Sequence, residues 1–174
     1  MPNIPEAKLL LKDAGVNVHD PADVPDLIEL AKKLLSRLGP KAVLLKGGHL
    51  PMTKDGKAAR SRQDASIVVN ILVDRENLTL IETNFLSSKN THGTGCSLAS
   101  ALAANLASGQ KLERAVRGAV RFVEAGIKTN PGLGKGSGPI NHFHSVYSLP
   151  FAPYVFSLCV HSGWQLTVSP EADL

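Results

Sequence analysis

The sequence predicts an α/β layered domain with a partly parallel sheet, and three observations carry that prediction. A helix-patterned segment, Val24 to Leu38, runs closely into a short and wholly apolar strand, Ala42 to Leu45. Two strand-like runs separated by Asp74-Arg75-Glu76-Asn77 come next. Two further helix-patterned segments, one of small residues and one sharply two-faced, follow them. Elements in that order pack as helices against the faces of a sheet.

Each element has its own warrant. In Val24–Leu38, the residues Leu27, Ala31, Leu34, Leu35 and Leu38 recur at helical spacing and make one apolar face. Asp23 and Asp26 suit its start, where a short polar side chain accepts from unpaired backbone amides, and Gly39-Pro40 ends it. Ala42-Val43-Leu44-Leu45 has the pattern of a strand covered on both faces, and Lys46-Gly47-Gly48-His49 follows it directly. Pro51 to Asp64 is polar and charged and reads as an exposed loop. Ser66–Val73 and Leu78–Glu82 read as a hairpin. Ser97 to Ser108 reads as a helix of small residues. The clearest stripe is Leu112, Ala115, Val116, Ala119, Val120, Val123 and Ile127, with Lys111, Glu113, Arg114, Arg117, Arg121, Glu124 and Lys128 off it. Thr129 to Pro139 is rich in Gly and Pro and reads as loop. No internal repeat is present.

Composition narrows the function classes. A chain of 174 residues with 43% hydrophobic and 20% charged residues has the make-up of one globular domain with its own core. The net charge of +4 is spread over Lys32-Lys33, Lys111, Arg114, Arg117 and Arg121, which suits solvated helix faces and not a nucleic-acid footprint. Cys96 and Cys159 sit in unrelated contexts and suggest neither a disulfide framework nor a metal site, so a reducing compartment is expected. The N-terminus lacks the basic-then-apolar layout of a signal peptide. The apolar stretch Phe151–Val160 is too short to span a bilayer and contains Pro153. The expectation is a cytoplasmic protein that binds neither nucleic acid nor membrane.

The chemistry-bearing motif is Asn90-Thr91-His92-Gly93-Thr94-Gly95-Cys96, placed just before the small-residue helix. Glycines on both sides of Thr94 let the backbone turn tightly and approach a ligand without a Cβ in the way. The N–H groups of Gly93 to Cys96 then point outward from a helix N-terminus, which carries about half a positive charge and suits an anion. Phosphate binding is one reading. The plainer one is a structural loop-to-helix turn, with Cys96 a small packed residue and His92 a hydrogen-bonded loop residue. Lys46, at the end of a covered strand, is placed either to meet a phosphate as a point charge or simply to mark the strand's exit to solvent.

Four segments, Pro2-Asn3-Ile4-Pro5-Glu6-Ala7, Lys46-Gly47-Gly48-His49-Leu50, Asn90 to Cys96 and Gly138-Pro139-Ile140-Asn141-His142, stand in the order seen in the hydroxymethylpyrimidine and phosphomethylpyrimidine kinases of thiamine biosynthesis. The chain resembles that family, part of the ribokinase-like superfamily, over about its first 145 residues, and the last segment is most similar to the fungal members. The resemblance implies a partial ribokinase-like layered fold. Residues 1–148 would be the C-terminal, nucleotide-binding part of a kinase domain whose N-terminal half is missing, and residues 149–174 a divergent, poorly ordered tail.

The resemblance also implies roles. Gly93, Thr94, Gly95 and the backbone of Cys96 would form an anion hole around the transferring phosphoryl group. Cys96 would stand where most of the superfamily has an Asp base. Asn3 and Glu6 would form a second shell around the Mg²⁺ that accompanies ATP, and Lys46 would neutralise phosphate charge. ATP and hydroxymethylpyrimidine or its monophosphate are the implied partners, with self-association expected from the missing strands. Two alternatives stand beside this reading. One is a truncated, catalytically inactive fragment that at most binds nucleotide. The other is a thiol enzyme with Cys96 as covalent nucleophile and His92 as its only nearby partner.

Overall fold

A computed structural model describes residues 1–130, 132 and 135–145. The expectations for Cys159, for Phe151–Val160 and for the tail at 149–174 lie outside the described residues. In chain order the elements are α1 (Ile4–Asp13), α2 (Val24–Leu38), β1 (Ala42–Leu45), β2 (Ile67–Asp74), β3 (Leu78–Asn84), α3 (Thr94–Ala107) and α4 (Leu112–Lys128).

The strands form one sheet in the order β1-β2-β3, with helices on both faces. On one face, Val43, Leu45, Val69, Ile71 and Val73 pack against Ile4, Ala7 and Leu11 of α1 and Leu27, Leu30, Ala31 and Leu34 of α2. On the other, Leu44, Leu72 and Ile81 meet Leu98 and Leu102 of α3 and Ala115, Val116, Ala119 and Val120 of α4. The period-two alternation of a strand produces this division, and the sheet separates two apolar cores.

The local signals act as their chemistry requires. Asp23 caps α2 by accepting from the Asp26 N–H at 3.0 Å, Asp26 accepts from the Ala22 N–H at 2.8 Å, and Gly39 ends the helix at φ +68°. The β2–β3 hairpin is pinned by Asp74, whose Oδ1 accepts from the N–H groups of Glu76 (2.8 Å) and Asn77 (2.7 Å).

Four expectations need correction. The sheet is antiparallel throughout: Leu44 faces Leu72 across β1 and β2, and Asn70 faces Ile81 across β2 and β3. Residues 46–66 leave β1 and return to the same end of the sheet without a crossover helix, so β2 runs back along β1. Among the described residues, parallel pairing occurs only at the isolated bridges Asn3–Lys46 and His92–Pro139. Within the segment read as an exposed loop, Met52 is fully buried and joins the α1/α2 core. The small-residue helix begins at Thr94, so Thr94, Gly95 and Cys96 form its first turn. In α2, Leu30 is buried and Leu38 is 45% exposed, so the apolar face is rotated from the one read in the sequence.

Candidate functional site

Gly93 is the N-cap of α3 at φ +79°, a conformation that costs residues with a Cβ about 1–2 kcal/mol. No side chain caps this helix. The Thr94 N–H makes only a long 3.4 Å contact with the Thr91 carbonyl, and the first helical bond runs from Ser97 N–H to the Gly93 carbonyl at 2.9 Å. The amides of Gly95 and Cys96 are thus first-turn donors without an acceptor inside the helix.

The turn is tied down from behind. Asn90 is buried, its Oδ1 accepts from Gly138 N–H at 3.0 Å and its Nδ2 donates to Asn130 Oδ1 at 2.7 Å. The first residue of the motif is therefore a brace between the turn and the segment after α4.

Lys46 continues β1 on the side that carries Leu44, toward α3 and α4. Its backbone N–H donates to the Pro2 carbonyl at 2.9 Å, laying the N-terminal segment beside the strand end. Its Nζ donates to the Met1 carbonyl at 2.7 Å and lies 3.7 Å from Glu6 Oε2. Asn3 and Glu6 form a capping box: Asn3 Oδ1 accepts from Glu6 N–H at 2.9 Å, and Glu6 Oε2 accepts from Asn3 N–H at 2.8 Å. That backbone hydrogen bond, and after it the charge of Lys46, hold the Glu6 carboxyl below its ordinary range. Asn3, Glu6 and Lys46 thus make one cluster at the strand end. Among the described residues, no three acidic, His or Cys side chains gather into a metal cage.

Gly47 is fixed by packing. Its N–H donates to Oδ1 of the buried Asn70 at 3.1 Å, and a Cβ there would lie 1.9 Å from the Val69 carbonyl oxygen. Gly48 faces open space.

A cleft of about 450 Å³ joins these parts. Its floor is the sheet face carrying Val68, Asn70 and Thr83. One side is Thr94, Gly95 and Leu98 of α3, with Val120, Val123, Glu124 and Ile127 of α4. Lys46, His49 and Arg62 stand at the rim, and Phe85 to Ser88 close the far side. An apolar wall, a basic rim and outward backbone donors suit an anion attached to a flat apolar body.

Of the residues singled out in the sequence, Lys46, Thr94 and Gly95 line this cleft. Gly93 shapes the turn, and Asn3 and Glu6 reach the site through Lys46. Cys96 is exposed at the third helical position and does not line the cleft. Sequence reading missed Asn70, Thr83, Phe85 and Arg62. Only Asn70 left a signal, as a polar residue inside the apolar run Val68–Val73. Val123 and Ile127, read as core, are half-buried cleft wall.

Residues 1–141 match the family described as Phosphomethylpyrimidine kinase. A putative hydroxymethylpyrimidine/phosphomethylpyrimidine kinase 2 of Schizosaccharomyces pombe is 37% identical over 153 residues, covering 87% of this chain and 27% of that protein. A hydroxymethylpyrimidine/phosphomethylpyrimidine kinase of Staphylococcus aureus is 31% identical over 142 residues, covering 82% and 45%. The chain thus spans between a quarter and a half of the length of these relatives. Among solved structures, the ADP complex of Bacillus subtilis pyridoxal kinase superposes with a TM-score of 0.67 at 30% identity, covering 84% of this chain and 50% of that one. A Staphylococcus aureus pyridoxal kinase in complex with AMP-PCP gives 0.63 at 26% identity, covering 81% and 45%.

Proposed function

The chain belongs to the phosphomethylpyrimidine kinase family, with its ribokinase-like α/β fold, and from that premise we propose that its cleft is the nucleotide side of a phosphotransferase site. The substrate pair is ATP and hydroxymethylpyrimidine or its monophosphate, in thiamine biosynthesis in the cytoplasm. The observation that carries this reading is the uncapped first turn of α3 opening into the same cleft as Lys46. The names of the relatives and the nucleotides in the related structures support it.

Each group has a task in this reading. The apolar side chains Val120, Val123 and Ile127 of α4 take the base, and Lys46 and Arg62 offset the charge of the phosphate chain. The acceptor hydroxyl oxygen forms a bond to the γ-phosphorus as the bond to the β-bridging oxygen breaks, and ADP leaves. The Gly95 and Cys96 N–H groups face the equatorial oxygens, where such donors act most strongly on a loose, charge-spread transition state. Cys96, exposed beside the cleft, is the candidate acceptor of the hydroxyl proton in its thiolate form. One carboxylate in a capping box does not hold a divalent ion alone, so Asn3 and Glu6 fit an outer-shell role, through water, toward Mg²⁺ brought in by ATP.

Calorimetric titration with Mg-ATP tests the nucleotide site. Saturable binding is expected, weakened about tenfold in Lys46→Met, the scale of one lost charge-assisted contact, and likewise in Gly95→Ala, whose Cβ would stand in the open space the anion takes. Absence of binding, or wild-type affinity in both variants, overturns the reading. Transfer of labelled γ-phosphate to hydroxymethylpyrimidine and to its monophosphate, offered separately, identifies the acceptor. Binding without transfer marks the chain as a nucleotide-binding portion only.

A further inference from the structure

The Gly138–His142 segment grips the glycine turn at two points. Ahead of the turn, Gly138 N–H donates to Asn90 Oδ1 at 3.0 Å and His92 N–H donates to the Gly138 carbonyl at 3.3 Å. Beyond it, His142 Nε2 lies 2.7 Å from the hydroxyl of Ser97, a buried residue of α3. Between these points the segment is anchored on α4. Asn141 N–H donates to the Gly126 carbonyl at 2.9 Å, and Ile140 is buried so close that a Cβ at Gly126 would come within 3.0 Å of its Cδ1. The His142 ring also rests near Phe122 of α4, with centroids 6.5 Å apart.

Ser97 is the residue whose N–H closes the first helical hydrogen bond, to Gly93. Fixing its side chain fixes how the first turn of α3 is rotated, and so where the Gly95 and Cys96 amides aim. His142 is well suited to this, because its neighbours Ile140 and Asn141 anchor it on α4 as well as on the turn.

We propose that His142 is a positioning residue: acting through Ser97, it holds the α3 first turn in the orientation that presents its backbone donors to the anion. This deepens the nucleotide reading and rests on it. His142 itself touches no phosphate.

The test uses the full chain and the rate at which iodoacetamide alkylates Cys96, followed on its own peptide by mass spectrometry. Mg-ATP should slow alkylation of the wild type. In His142→Ala and in Ser97→Ala that protection should fall about tenfold, the scale of one lost hydrogen bond, and the double variant should be no worse than either single one. His142→Gln, whose amide oxygen can accept from the Ser97 hydroxyl, should restore most of the protection. Wild-type protection in His142→Ala, effects that multiply in the double variant, or no rescue by Gln each overturn the proposal. If Mg-ATP fails to protect the wild type, calorimetric titration decides whether the nucleotide reading has failed. Hydrogen exchange across residues 94–98 then decides the positioning role: faster exchange in His142→Ala that Gln reverses supports it, and unchanged exchange overturns it.

Discussion

Gly47→Ala tests how the strand end beneath the cleft is built. The new Cβ would lie 1.9 Å from the Val69 carbonyl oxygen and 2.9 Å from its carbon. Val69 is fully buried in the central strand and paired with Glu82 of β3, so it cannot retreat. Residues 46–48 must move instead, and that stretches the 3.1 Å bond from Gly47 N–H to Asn70. Overpacking costs about 1–3 kcal/mol, and a buried acceptor left unpaired costs about another 1–3 kcal/mol. Together these approach roughly 4 kcal/mol, a fall in Tm of roughly 10 °C for a domain of this size.

The control is the neighbouring residue. A Cβ at Gly48 meets nothing within 4 Å, so Gly48→Ala should stay within about 0.5 kcal/mol of the wild type. Both are read by thermal unfolding followed by circular dichroism. Because Lys46 precedes Gly47, the first variant should also lose Mg-ATP affinity at temperatures where it remains folded, and the second should lose less. If the two variants melt within about 2 °C of each other, the close approach of Gly47 to β2 is refuted.

Further outcomes follow from the same geometry. Gly93→Ala should lower stability by about 1–2 kcal/mol because of its φ of +79°, whereas Gly95→Ala, with open space around its Cβ, should not; equal melting temperatures would contradict this. Cys96→Ala should melt with the wild type, since the thiol is exposed, and under conditions where phosphoryl transfer is measured it should lower kcat more than it raises KM for ATP; an unchanged kcat would remove Cys96 from the chemistry. The Asp26 carboxyl is held below its ordinary range chiefly by the Ala22 N–H, and that of Asp74 by the N–H groups of Glu76 and Asn77. Folded values below the unfolded 3.8 mean that their contribution is complete above that value and is lost as pH falls through the folded ones. The urea midpoint should therefore drop below about pH 4, and less so in Asp74→Asn, which retains the accepting oxygen; a flat midpoint would refute the hairpin pin. Among the described strands, β1 and β3 each pair on one side only, so the chain should self-associate at micromolar concentration in sedimentation velocity. A monodisperse monomer would contradict that.

Where the sequence carried a local signal, the fold was legible. Capping at Asp23 and Gly39 and the turn at Asp74 set the limits of α2 and of the hairpin, because each is a contact between residues a few positions apart. α1 went unread although its Asn3–Glu6 capping box is also local, because the pair was read through resemblance and not as a helix start. Strand direction was not local. It depends on residues 46–66 folding back, and Met52, the fully buried anchor within that excursion, is hidden in a polar average.

The candidate site shows the same division more sharply. Its backbone part was readable because Gly93, Thr94 and Gly95 adjoin a helix start, and helix starts advertise themselves in the chain. The wall was not, because an apolar stripe on a helix reads as core wherever it lies. In α4 the stripe is buried core through Val120, Val123 packs against that core while also lining the cleft, and Ile127 lines the cleft outside it. The same period thus makes interior at one end of the helix and cleft wall at the other. What separates them is the reach of β1, which stops at Leu45 and leaves Lys46 and the buried Asn70 in place of further apolar partners. A strand that ends short of the helix it faces opens space, and the polar residue beneath that gap marks its floor. Asn70 in the apolar run Val68–Val73 was such a mark: its side chain accepts the Gly47 N–H and thereby sets where the strand end, and with it Lys46, can stand.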